Sequence, residues 1–131
     1  MKQSTIIALI IGGAFVIGAF FLSQGKTTTS AAVAPVNNVT IENGKQIVTI
    51  SAKGGYSPRI SKAKADMPTT LRISTNGTFD CSSSLNLPSM NYQKNLPATG
   101  VTDVELPAQK AGSTFEGLCG MGMYRFQITF E

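Results

Sequence analysis

The chain of 131 residues contains no histidine. That single absence removes the usual general base, the usual zinc ligand and the usual ligand of oxidised copper. No Ser/His/Asp constellation can form, so hydrolytic catalysis has no machinery and the chain is read as a non-enzyme. Charge is thin as well: residues 37–131 carry nine Lys or Arg against seven acids, and no basic run is interleaved with stacking aromatics. The nearest approach to one, Lys62-Ala63-Lys64, reads as the solvent face of a strand, which argues against a nucleic-acid partner. Phosphate-cradling glycine loops, internal repeats and helices with a capping box are missing too. Sulfur chemistry is what remains, and it rests on two cysteines and five methionines.

The N-terminus sets the compartment. After a short flank, residues 1–5, an uncharged run from Ile6 to Leu22 would reach about 26 Å as a helix. With Ser4, Thr5, Ser23 and Gln24 extending it at the interfaces, it can cross a bilayer core of about 30 Å. A cleaved signal peptide would need small residues a few positions after the run, but Ala32-Val33-Ala34 comes well downstream and is followed by Pro35. The run is therefore read as an uncleaved transmembrane anchor. No cysteine lies near it for lipid attachment, and no acid lies inside it as in pilin-type segments. Residues 23–36 turn to Ser, Thr, Ala, Gly and Gln without periodicity, as a flexible linker does. The expected arrangement is a single-pass protein of the cell membrane whose domain, residues 37–131, lies on the extracytoplasmic side.

That domain reads as all-β. Val39 to Glu42 and Gln46 to Lys53 flank Asn43-Gly44, a strong hairpin signal. Arg59 to Ala65 follows, with Ile60 on one face, and Asp66-Met67-Pro68 breaks it. Thr69 to Thr75 alternates with Leu71 and Ile73 inward. A loop from Asn76 to Ser84 holds Cys81, Leu85 to Pro88 is a short extended piece, and Val101 to Leu106 is strand-like. At the end Tyr124, Phe126, Ile128 and Phe130 alternate with Arg125, Gln127, Thr129 and Glu131. Several short strands at this spacing predict a β-sandwich or Greek key.

Directly before the last strand stands Cys119-Gly120-Met121-Gly122-Met123. In an extended chain the three sulfurs would share one face, and the two glycines let the segment curl so that long methionine side chains can converge on the cysteine. The parity is opposite to that of the core-facing residues of the last strand, so an unbroken register would turn the sulfurs to solvent. A loop at the end of the sandwich resolves this. Thiolates and thioethers together select soft monovalent copper, whereas zinc would want more thiolates or a histidine. The competing reading is a metal-free sandwich stapled by a Cys81–Cys119 disulfide, with the methionines filling gaps. Met67 beside Pro68 reads as turn packing and Met90 as core.

Gly55-Tyr56-Ser57-Pro58, the Ile60 to Leu71 stretch, Cys81 in the middle loop and Cys119-Gly120-Met121-Gly122-Met123-Tyr124-Arg125 together resemble the histidine-free bacterial cupredoxin-like domains. The resemblance covers most of residues 45–131. It implies a cupredoxin Greek-key sandwich holding one or two Cu(I) ions. Cys119 would be the shared thiolate, Cys81 would complete the tighter position, and Met121 and Met123 would form the weaker one. An anchor followed by one such domain is similar to the membrane-anchored cuprous copper chaperones, which implies delivery to a copper-exporting P-type ATPase. Phe126 departs from the pattern, because many relatives have glycine after the Tyr-Arg pair.

Overall fold

A computed structural model describes residues 37–131. The flank, the proposed anchor 6–22 and the linker 23–36 lie outside the described residues, among which no helix is long and apolar enough to cross a membrane.

Ten strands form two sheets. β1 (Val39–Glu42), β2 (Lys45–Ala52), β3 (Tyr56–Ser57), β5 (Thr69–Thr75) and β8 (Gly100–Leu106) make the first, in the order β1-β2-β5-β8 with β3 paired to β2. The second runs β4 (Ile60–Ala63), β10 (Arg125–Phe130), β9 (Thr114–Cys119), β6 (Ser84–Leu87), β7 (Tyr92–Asn95). β2 with β5 and β4 with β10 pair in parallel, and the remaining pairs are antiparallel.

The hairpin signal is realised. Asn43 and Gly44 both take positive φ, +50° and +75°, which is the backbone hand that a two-residue turn between right-twisted strands requires. The core lies between the sheets. Val48, Ile50, Leu71 and Ile73 from one sheet meet Leu85, Leu87, Phe126, Ile128 and Phe130 from the other, all fully buried. Burying each such side chain contributes about 1.5–3 kcal/mol, enough for one modest core to order a chain of this size. Among the described residues the one buried side-chain amide, Gln46, is matched on every side. It accepts from Lys64 N–H at 2.7 Å and donates to Lys64 C=O at 3.1 Å and Thr69 Oγ at 3.0 Å. Its ties fasten β4 to the first sheet.

In β4 the inward residues are Ser61 and Ala63, while Ile60 is 68 % exposed. β4 is an edge strand bonded only to β10, and Asn38 reaches across to donate to the buried Ser61 Oγ at 2.8 Å, which fixes that face inward. Three strands carry little sequence signal: β3 has two residues, β7 is a polar edge, and β9 ends in the cysteine expected to belong to a loop.

Candidate metal centre

The two cysteines meet at one end of the sandwich. Cys119 is the last residue of β9, and the burial alternation of that strand turns Phe115, Gly117 and Cys119 inward, so Cys119 is 1 % exposed and part of the core. Beside β9 runs β6, with Leu85 opposite Cys119. β6 is entered from a single 3₁₀ turn, Cys81–Ser83, and this turn brings Cys81 to Cys119. Both are free thiols, Cys81 half-buried and Cys119 buried.

Three sulfurs sharing one strand face, as the alternation suggested, is not what the chain adopts. Cys119 stays in the strand and faces the core, while residues 120–123 leave it as a turn closed by Gly122 N–H on Cys119 C=O at 2.9 Å. The two glycines serve different ends. Gly122 holds φ at +72°, and Gly120 lies so close to β6 that a Cβ would stand 2.7 Å from Ser84 Oγ. Met121 and Met123 ride on this turn with 77 % and 66 % of their surface exposed. The structure thus brings together the sulfurs of Cys81 and Cys119 and leaves the two thioethers in solvent on the adjoining turn. Met90 is half-buried against the core, as its reading required.

Backbone amides of the same turn face the thiols. Tyr124 N–H donates to Cys119 Sγ at 3.4 Å, and the nearby amides of Met121 and Met123 also favour its negative charge. Burial opposes ionisation of Cys119, but the Cys81 thiol and the amides of Tyr124, Met121 and Met123 favour the thiolate, outweigh burial and hold the thiol below its usual range. Cys81 goes the other way: its interaction with Cys119 pushes its own ionisation up, with the Met121 amide working against this. Cys119 is therefore the first thiolate.

Around the pair stand groups that the sequence did not single out. Tyr56 is buried, stacks edge-on against Phe126 with ring centroids 5.1 Å apart, and directs its hydroxyl to Ser84 C=O at 3.4 Å. Its ionisation is pushed far up, first by burial and then by the negative charge of Cys119, Cys81 and Asp80. Tyr124 lies over Gly55, 3.4 Å from where a Cβ would be. Asp80, one residue before Cys81, caps the 3₁₀ turn. Its only sequence signal is an Asp ahead of Cys-Ser-Ser, the residue type that favours such caps. Phe126, the departure from the pattern, fits because Gly117 opposite it has no side chain. A Cβ there would lie 2.1 Å from the ring.

Two thiols without histidine, plus thioethers, form a soft donor set suited to Cu(I). Among the described residues no group of three or more His, Cys, Asp or Glu could hold a metal ion, so harder ions have no comparable cluster there.

A family model described as a cupredoxin-like domain matches residues 13–130, nearly the whole chain. The chain belongs to the cupredoxin-like domain family. Among the solved structures similar to this chain, two share its sandwich over most of their length. One is the Cu(I)-bound metal-binding domain of the Cu(I)-exporting P-type ATPase CopA of Streptococcus pneumoniae D39. It has a TM-score of 0.63 at 20% identity, over 71% of this chain and 92% of that one. The other is a copper binding protein solved in solution in its apo form, with a TM-score of 0.63 at 24% identity, over 71% and 94%. At these identities the likeness establishes the shared cupredoxin-like sandwich. No curated protein matches the sequence.

Proposed function

We propose that this cupredoxin-like domain binds Cu(I) through Cys81 and Cys119, with Met121 and Met123 supplying a second, weaker position, and hands the ion on. The observation that carries this reading is the pair of free, interacting thiols at one end of the sandwich beside a glycine-hinged turn bearing two exposed thioethers. Large apolar side chains left in water are poor use of surface unless they bind something. Cys119, the thiol that ionises more readily of the two, is the natural shared ligand for one or two ions. Thioethers bind more weakly than thiolates and stand outermost, so copper could enter and leave stepwise by way of Met121 and Met123.

In this reading the run 6–22 anchors the protein in the cell membrane and the linker 23–36 holds the domain on its extracytoplasmic side. The role is that of a membrane-anchored cuprous copper chaperone of the CupA type. The acceptor is a copper-exporting P-type ATPase, a class represented among the similar solved structures by a Cu(I)-bound metal-binding domain of the same fold. Carriage needs no catalysis, and the protein is proposed as a non-enzyme.

The test is an anaerobic titration of the reduced full chain with Cu(I) against a chromogenic chelator. Tight binding that collapses in Cys119→Ser and weakens in Met121→Leu/Met123→Leu is the expected result. Failure of the chain to compete, together with the absence of titratable thiols before reduction, would favour a metal-free interaction domain with a Cys81–Cys119 disulfide.

A further inference from the structure

Cys81 lies on a loop, and a loop cysteine can meet a strand cysteine reproducibly only if something fixes the loop. The segment from Asn76 to Ser83 is tied at several points. Thr78, buried, gives its hydroxyl to Ala52 C=O at the end of β2, and Thr78 N–H bonds Ala98 C=O at 2.9 Å. These bonds fix the loop before Cys81. Leu96 N–H holds the end of the Cys81 turn at Ser83 C=O, 2.7 Å, within the second sheet, and the turn's tie to the first sheet is one side chain: Asp80 Oδ2 accepts Gly54 N–H at 2.7 Å, and Asp80 Oδ1 accepts Ser82 N–H at 2.7 Å and the Ser82 hydroxyl. Gly54 belongs to the turn between β2 and β3, 26 residues away in sequence. One carboxylate therefore joins the turn that carries Cys81 to the other sheet.

We infer that Asp80 is the positioning residue of this centre: its carboxylate fastens the Cys81 turn to the β2–β3 turn and so holds the Cys81 sulfur against Cys119 before any metal arrives. The inference rests on the copper reading for its consequence, but not for its geometry. A carboxylate suits the task because both of its oxygens accept, whereas the amide of asparagine has one acceptor and must give up either Gly54 or Ser82. Charge alone works in the opposite direction. Loading Cu(I) turns two neutral thiols into a cuprous dithiolate with net negative charge, which a neighbouring carboxylate disfavours. Loss of binding on removing Asp80 would therefore report lost position, and a gain would report relieved repulsion.

The experiment uses the reduced full chain in mild detergent, as wild type, Asp80→Ala, Asp80→Asn, Cys81→Ser and Asp80→Ala/Cys81→Ser. Cu(I) affinity is measured by chelator competition, and closure of the Cys81–Cys119 disulfide by oxidised glutathione is followed without copper. Asp80→Ala is expected to weaken Cu(I) binding about tenfold and to slow closure by a similar factor, as loss of a capping carboxylate warrants. Asp80→Asn should fall between, and guards against a variant that does not fold. In the Cys81→Ser background Asp80→Ala should change affinity less than about twofold, because Asp80 acts through Cys81. Equal weakening in both backgrounds, or wild-type affinity and closure in both Asp80 variants, would overturn the inference. If the wild type takes no Cu(I) while closure still slows in Asp80→Ala, the copper reading fails and the positioning role stands.

Discussion

The Cys81 and Cys119 thiols act on each other, which divides the pair into a first and a second thiolate. Cu(I) binding displaces whatever protons the ligands still hold, so affinity must rise with pH. Cys119 ionises below its ordinary range and Cys81 above it. Two breaks follow in a plot of log affinity against pH: a slope of about two below the Cys119 ionisation, about one between the two, and a plateau above Cys81. Chelator competition across a pH series measures this. A single break would mean that only one thiol binds.

The methionines separate binding from stability. Because Met121 and Met123 are 77 % and 66 % exposed, replacing both by leucine should leave the unfolding free energy of the apo domain within about 0.5 kcal/mol of wild type. The same variant should lose the weaker copper position. Cys119→Ser should behave differently, costing about 1–2 kcal/mol in the apo form, because it puts a hydroxyl at a site only 1 % exposed. Thermal denaturation of the apo variants beside their Cu(I) titrations checks both expectations.

Phe126 depends on Gly117. A methyl at Gly117 would stand 2.1 Å from Phe126 Cζ, inside any allowed contact, and the ring is fully buried with Tyr56 packed on its edge. Gly117→Ala should therefore destabilise the domain by about 1–3 kcal/mol through overpacking. Phe126→Leu should recover part of that loss, giving a coupling of about 1 kcal/mol in a double-mutant cycle followed by denaturant unfolding. Additive effects would mean that the ring does not fill the space above Gly117.

The same pair explains why β9 was hard to read in the sequence. Phe115, Gly117 and Cys119 alternate inward, yet the middle position is filled by the ring of another strand, so the apolar pattern breaks where packing is tightest. By contrast, the Asn43-Gly44 turn, β5 and β10 were legible because each carries its own turn chemistry or unbroken alternation. Cys119, Met121 and Met123 were visible as a cluster by their spacing, but the division into one buried thiol and two exposed thioethers depends on where β9 stops. Asp80 was not singled out in the sequence. Its bond to Gly54 crosses between sheets, and no local pattern encodes it.

The two glycines of the 120–123 turn should fail in different ways when each is replaced by alanine. At Gly122 there is open space around the missing side chain but φ is +72°, so the cost is conformational, about 1–2 kcal/mol. Asparagine, which tolerates that region, should recover much of it. At Gly120 the obstacle is steric: the new Cβ meets Ser84 Oγ at 2.7 Å and Ser84 Cβ at 3.2 Å. The segment must then move away from β6, straining the 3.0 Å bond from Gly120 N–H to Ser84 C=O that seats the turn beside Cys119. Asparagine cannot relieve this, whereas Ser84→Ala removes the nearer atom and should partly restore Cu(I) affinity in the Gly120→Ala background. Measuring affinity for Gly120→Ala, Gly120→Ala/Ser84→Ala, Gly122→Ala and Gly122→Asn separates the two causes. Rescue of Gly120→Ala by the serine change and of Gly122→Ala by asparagine is the expected pattern. No rescue in either series would mean that the turn reaches its metal-binding form by a different backbone path.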